Sequence, residues 1–277
     1  MHSNRSHITS LVSTAVLSVL TAACASVSPQ QEAEMGLNYS KQINAQLPIV
    51  RDPDANAYFN QLGASLSSLV DDQGRSWRFS IVDDPAINAF AVPGGYVYVN
   101  KGLIMKAQTM SQLAGVVAHE IAHVTQRHSV KQMEQSQKVG IGATLACLFQ
   151  PSFCSNGGGD LLNLGATAVM AKFSRGDEAE ADRFGVRYVV RAKIDPRGLP
   201  EMFQIMLAER DAKGGSSSAG FLATHPIEED RIAATRAAIA ALPAGSLTGT
   251  RRDSDAFQQF KSRLRSLPQT PKPAGAK

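Results

Sequence analysis

From Ser111 to about Lys138 the chain reads SQLAGVVAHEIAHVTQRHSVKQMEQ, a segment with helical periodicity and no Gly or Pro after Gly115. His119 and His123 are four residues apart within it. On a helix, about 100° per residue puts such a pair roughly 40° apart, stacked one turn above the other. Two imidazoles in that arrangement can grip one zinc ion, each at about 2.0–2.1 Å. Glu120 lies one residue on, about 100° around the helix, too far round to join the same pair but within reach of a water held by the ion. The spacing therefore asks for a rigid helix, an ion at its side and a second element to complete the ligand set.

Zinc at a reactive site takes three protein ligands and leaves one position open. A third His farther along the same helix would need Gly and His at positions 126 and 129, where this chain has Gln126 and Ser129. His128 falls about 140° off the ligand face of a continuous helix and is read as a structural or surface residue. A carboxylate from a later helix is the remaining source. Ser174-Arg175-Gly176-Asp177-Glu178-Ala179-Glu180-Ala181-Asp182 supplies one. Glu178 and Asp182 share a face, so Glu178 can complete the shell while Asp182 accepts the second ring N–H of a ligand His. Glu180 is about 200° from Glu178 and is expected to point away.

Around this pair the chain reads as helices with one small sheet. Helices are expected over Pro29 to Ala45, from Asp52-Pro53 onward, from Asp177 to Ala192, Gly198 to Arg210 and Pro226 to Leu242, with a short one from Ala256 to Leu267. Trp77 to Val82 and Tyr96 to Val99 alternate as strands, with a turn at Pro93-Gly94-Gly95. Residues 139–172, Gly- and Ala-rich, read as a helical hairpin or flap. The class is α+β, mostly α, with a small antiparallel or mixed sheet packed on the HEIAH helix.

The ends read differently from the body. Residues 1–23 resemble a secretion leader: Arg5, then an uncharged run from Ile8 to Ala23, diluted by Ser and Thr and short for a span. LTAAC, ending at Cys24, resembles a lipoprotein cleavage site with lipidation at Cys24, although Thr21 stands where Leu is preferred; ordinary cleavage after Ala25 is the alternative. Both place the mature chain outside the cytoplasm. There Cys147 and Cys154 can close a small disulfide loop or remain thiols. From Thr250 to Lys277 seven Lys or Arg face two Asp, which accounts for the formal net charge of +4. With Pro268, Pro271 and Pro273, residues 246–277 read as a solvated basic tail; no aromatic-interleaved basic patch suggests nucleic-acid binding. Residues 24–245 form the body, and a hydrophobic fraction of 43% with 19% charged residues excludes a disordered chain.

HEIAH followed by SRGDEAEAD resembles the signature of the gluzincin metallopeptidase family that includes HtpX and the CAAX prenyl proteases. Asn88-Ala89-Phe90-Ala91-Val92-Pro93-Gly94-Gly95 and Thr224-His225-Pro226, with Arg231 following, resemble two further blocks of that family. The resemblance implies a zincin-like domain holding one zinc ion on His119, His123 and Glu178, with Glu120 as general base and Asp182 behind a ligand. It implies that Asn88 and Ala89 lie on an edge strand that pairs with extended substrate. It leaves His225 as either a donor to the oxyanion or a resting-state plug on the zinc, and Arg231 as either a charge for the oxyanion or a brace for a C-terminal helix. The chain is most similar to short periplasmic lipoprotein members. The implied activity is cleavage of misfolded or stalled envelope proteins on the periplasmic side of the outer membrane, beside its assembly machinery. A scaffold keeping zinc only as a staple, the alternative, has no need of Glu120.

Overall fold

Ser28 begins the ordered body by accepting a hydrogen bond from the Gln31 N–H, while the Gln31 side chain accepts from the Ser28 N–H. This reciprocal cap and Pro29 start α1 (Pro29–Gln46), and Asp52 caps α2 (Pro53–Ser67) through the Ala55 N–H. The structure, a computed structural model, describes residues 26–138, 172–212, 214 and 220–273. The expectations for the leader, for Cys24, for Cys147 and Cys154 and for the 139–171 hairpin lie outside these residues.

Three strands follow: β1 (Arg78–Val82), β2 (Ala89–Val92) and β3 (Tyr96–Asn100). Their order is β1-β3-β2, with β1 parallel and β2 antiparallel to β3, so the sheet is mixed and β2 is an edge. Beyond it come α3 (Lys101–Lys106), α4 (Met110–Thr125), α5 (His128–Lys138), α6 (Arg175–Arg191), α7 (Gly198–Ala212), α8 (Phe221–Thr224), α9 (Glu229–Ala240) and α10 (Asp255–Ser266). The expected class stands: mostly helix with a small sheet. Among the described residues no helix is long and apolar enough to cross a membrane.

α4 is the hub. Every residue from Met110 to Val124 is buried, because α6, α7, α2 and β2 all pack on it. Its sequence is apolar or small nearly all round, as a helix covered on all sides requires. Small residues on its partners set the distances. Gly185 of α6 lies against the His119 backbone, where a Cβ would stand 3.3 Å from the His119 nitrogen. Gly198, opening α7, is tighter: a Cβ there would fall 2.3 Å from the Ser111 carbonyl. Gly198→Ala is accordingly expected to force the two helices apart and cost about 1–3 kcal/mol. Urea unfolding would read this as a lower midpoint at unchanged slope; an unchanged midpoint would mean that the contact yields freely.

Two sequence expectations are corrected here. The HEIAH helix does not run on to Lys138. α4 stops at Thr125, Arg127 adopts φ 57°, and α5 starts at His128. The left-handed conformation of Arg127, uncommon for a residue with a side chain, is held from outside. Its Nε donates to Glu32 Oε2 at 2.7 Å and its Nη2 to the Val27 carbonyl at 2.5 Å. The Val27 N–H in turn donates to Glu134 Oε1 at 2.9 Å. Secondly, the basic C-terminal stretch is not a solvated end through its described length. α10 buries Phe257, Phe260 and Leu264 against α2 and α3, and Phe260 stacks on Tyr58 at 4.5 Å. The Thr270 N–H then donates to Asp83. The apolar spacing of that stretch outweighs its charge.

Candidate metal centre

One turn of α4, the first turns of α6 and α9, and the end of α8 meet at a buried cluster. His119 Nε2 and His123 Nε2 are 3.0 Å apart. Glu178, in the first turn of α6, places Oε2 3.6 Å from His119 Nε2 and Oε1 3.6 Å from His123 Nε2. His225 caps α8, its N–H bonded to the Phe221 carbonyl at 2.8 Å. Its Nδ1 lies 2.8 Å from Glu178 Oε1 and 3.4 Å from His119 Nε2. All four donors fall within 4.8 Å of one another, and all four residues are buried.

This set fits a metal ion. Two ligands at about 2.0–2.1 Å on a tetrahedral centre stand roughly 3.3 Å apart, close to the observed separations. Three imidazoles and a carboxylate are a donor set that suits zinc. Glu178 Oε2, His225 Nε2 and Glu120 Oε1 are buried without a hydrogen-bond partner, which a folded protein rarely leaves without a reason.

The supports of the cluster are as specific as its members. Ser174 caps α6 with Asp177 in a reciprocal box, which fixes the helix start two residues before the next charge and aims Glu178 inward. One turn on, Asp182 Oδ1 lies 2.9 Å from His119 Nδ1. Arg231 of α9 forks onto Asp182, Nε to Oδ2 at 2.6 Å and Nη2 to Oδ1 at 2.8 Å, and Nη1 donates to the Pro226 carbonyl at 3.0 Å. The same Nη1 is 2.5 Å from Glu178 Oε2 without the orientation of a hydrogen bond. The guanidinium also covers the Phe203 ring, with Cζ 4.7 Å from its centre.

Electrostatics follow from burial and these partners. Burial pushes the Glu120 carboxyl above its ordinary range, more than His225 and His119 draw it down. Burial and the neighbouring His119 and His225 push His123 far down, leaving a neutral ring able to ligate. Burial opposes charge on Asp182, yet the Arg231 fork outweighs it and holds the carboxyl at about 2. Burial likewise opposes charge on Glu178, where His225 and Arg231 win.

The remaining sequence candidates are near but not in the cluster. Ala89 opens the edge strand β2, and the Asn88 carbonyl accepts from the Asn100 N–H at 2.9 Å. The Ile87 carbonyl accepts from the Phe221 N–H at 3.0 Å, which ties the entry of that strand to the turn bearing His225. The sequence reading leaves His128 as structural or superficial and turns Glu180 away from the site. His128 is buried, and its Nδ1 is 2.9 Å from His123 Nδ1. Glu180 does not point away: its Oε2 is 3.0 Å from His128 Nε2. The turn at Arg127 brings both about, since it swings His128 back over the ligand face. Phe173, 4.1 Å from the His123 ring centre, and Phe221, stacked on His225 at 4.4 Å, also wall the cluster without a prior signal in the sequence.

A helix-borne pair of imidazoles, a carboxylate from the next long helix and a small mixed sheet alongside define a zincin-like domain. The sequence pattern described as Peptidase family M48 matches residues 53–239. The chain belongs to that family, as its motifs led one to expect. It is 34% identical over 222 residues to a putative beta-barrel assembly-enhancing protease of Vibrio cholerae, covering 78% of this chain and 46% of that one. Similarity to the beta-barrel assembly-enhancing protease of Escherichia coli is also 34% over 222 residues, covering 78% and 45%. The mitochondrial metalloendopeptidase OMA1 of Schizosaccharomyces pombe is 32% identical over 161 residues, covering 56% and 44%. The chain thus spans about half the length of the curated relatives it matches.

Proposed function

We propose that this chain is a zinc-dependent endopeptidase of the bacterial cell envelope that cleaves misfolded or stalled outer-membrane proteins. The observation that carries the reading is the convergence of His119, His123 and Glu178 with Glu120 one residue away, buried and free of hydrogen-bond partners at Oε1. A bound zinc ion supplies polarisation of the scissile carbonyl and acidifies water. His119, His123 and Glu178 hold the ion, and Asp182 orients His119 by accepting its Nδ1–H. Glu120 takes the proton of the attacking water and hands it to the leaving amine. Arg231 braces Asp182 with two donors and gives a third to the Pro226 carbonyl, which favours the bracing role over charge for the oxyanion.

Substrate is held along β2, the edge strand of the sheet, from Asn88 and Ala89, through backbone pairing that needs an extended chain and no particular sequence. A cavity of about 440 Å³ beside Glu178, walled by apolar Phe173, Ala179 and Pro226 together with charged Arg183, Glu228 and Asp230, receives a side chain of that substrate. The names of the bacterial relatives support outer-membrane protein assembly as the setting. The LTAAC sequence supports a lipid anchor at Cys24 on the periplasmic face of the outer membrane, a soluble periplasmic form being the alternative. The test is cleavage of casein by the mature chain, abolished by a chelator and restored by one equivalent of zinc. Cleavage that survives complete removal of metal would end the proposal.

His225 takes the fourth place around the same point in space, fully buried, and this favours the plug over the oxyanion donor. His225→Ala is therefore expected to raise casein cleavage with zinc content unchanged. Lost cleavage with zinc retained would instead make His225 the oxyanion donor.

A further inference from the structure

We infer that His128 and Glu180 form a positioning relay that fixes the tautomer of His123, the counterpart for this ligand of what Asp182 does for His119. The inference rests on the metal-binding reading above. An imidazole that coordinates through Nε2 carries its proton on Nδ1, and that proton needs an acceptor. His119 has Asp182 Oδ1 at 2.9 Å. His123 has, at the same distance, the Nδ1 of another imidazole, His128.

Two Nδ1 atoms that close cannot both present lone pairs, nor can both carry hydrogens. With His123 protonated at Nδ1, His128 must accept there and carry its own proton on Nε2. That nitrogen faces Glu180 Oε2 at 3.0 Å, with Asp177 Oδ1 farther off at 3.8 Å. Every proton of the chain His123–His128–Glu180 is then assigned, and the assignment is the one that leaves His123 Nε2 free to ligate. The opposite order, with His128 donating, would put the His123 proton on Nε2 and close that ligand. The ring of His128 is held for this work: it is buried, packs edge-on against His123 at 4.9 Å between centres, and is aimed by the φ 57° turn at Arg127. The two ligand imidazoles are thus both oriented from α6, one directly by Asp182 and one through an intermediary.

The test is the zinc affinity of the full mature chain, by competition with a chromogenic chelator, and the visible spectrum of the cobalt-substituted protein. His128→Phe keeps ring volume and loses both nitrogens; its affinity should fall about 10–100-fold. Glu180→Ala, which removes the acceptor at a side chain about one-third exposed, avoids the question of folding and should fall in the same direction with a changed cobalt spectrum. His128→Gln has an acceptor and a donor set apart much as in imidazole, and should bind more tightly than His128→Phe. Zinc affinities of His128→Phe and Glu180→Ala equal to that of the unsubstituted chain overturn the relay, as does a His128→Gln no better than His128→Phe. If the unsubstituted chain itself fails to bind zinc, the fault lies with the metal centre and not with the relay.

Discussion

Glu120→Gln is expected to lower turnover on an unfolded substrate by about 10²–10⁴-fold, the usual contribution of a positioned general base. The exchange keeps the shape of the side chain and removes only its capacity to take a proton. His119, His123 and Glu178 are untouched, so zinc content should stay at that of the unsubstituted protein. Stability should not fall, because burial already disfavours the charge that is removed and Glu120 Oε1 has no hydrogen bond to lose. Turnover, metal per chain and melting temperature measured together separate these outcomes. Equal cleavage by both proteins would defeat the catalytic assignment.

Arg231→Met should be the most destabilising change near the centre. The guanidinium is the fixed positive charge between Asp182 and Glu178, and both carboxylates are buried. Removing one partner of a buried ionic group costs about 3–5 kcal/mol, since the other is left charged and unpaired. For a chain of this size that amounts to a fall in melting temperature of about 6–20 °C. The loss should be larger in chelator than in saturating zinc, because a bound cation replaces part of the missing charge. The pH dependence has a definite sign. Asp182 is held at about 2 in the folded chain, below the ~3.9 of an unfolded Asp. Its stabilisation is present above the unfolded value and disappears as pH falls toward the folded one. Without Arg231 that depression goes, so acid unfolding should begin at higher pH. Melting in chelator indistinguishable from that of the unsubstituted chain would show that the carboxylates do not depend on Arg231.

The parts of this fold that were legible in the sequence are those governed by local periodicity. HEIAH and the Glu178–Asp182 spacing needed only the helical repeat, and the structure brings those residues together as the repeat requires. Asp52-Pro53 announced its helix by cap chemistry. What was not legible turns on one backbone torsion. Arg127 enters the left-handed region with neither Gly nor Pro to mark it, because Glu32 and Val27, remote in sequence, hold it there. An uninterrupted helix through that point turns His128 off the ligand face and leaves Glu180 pointing away. The C-terminal stretch was legible in part: the short helix expected from Ala256 to Leu267 is α10, whereas charge and Pro content, which describe an average, hid the buried face of Phe257, Phe260 and Leu264.

The clamp around Arg127 has a mechanical consequence. A load applied to the chain ahead of Val27 does not meet a free end. It meets two contacts, one to the Arg127 guanidinium at the bend between α4 and α5 and one to Glu134 of α5. With the lipid anchor proposed at Cys24, tension on that anchor is delivered to the hinge that aims the relay.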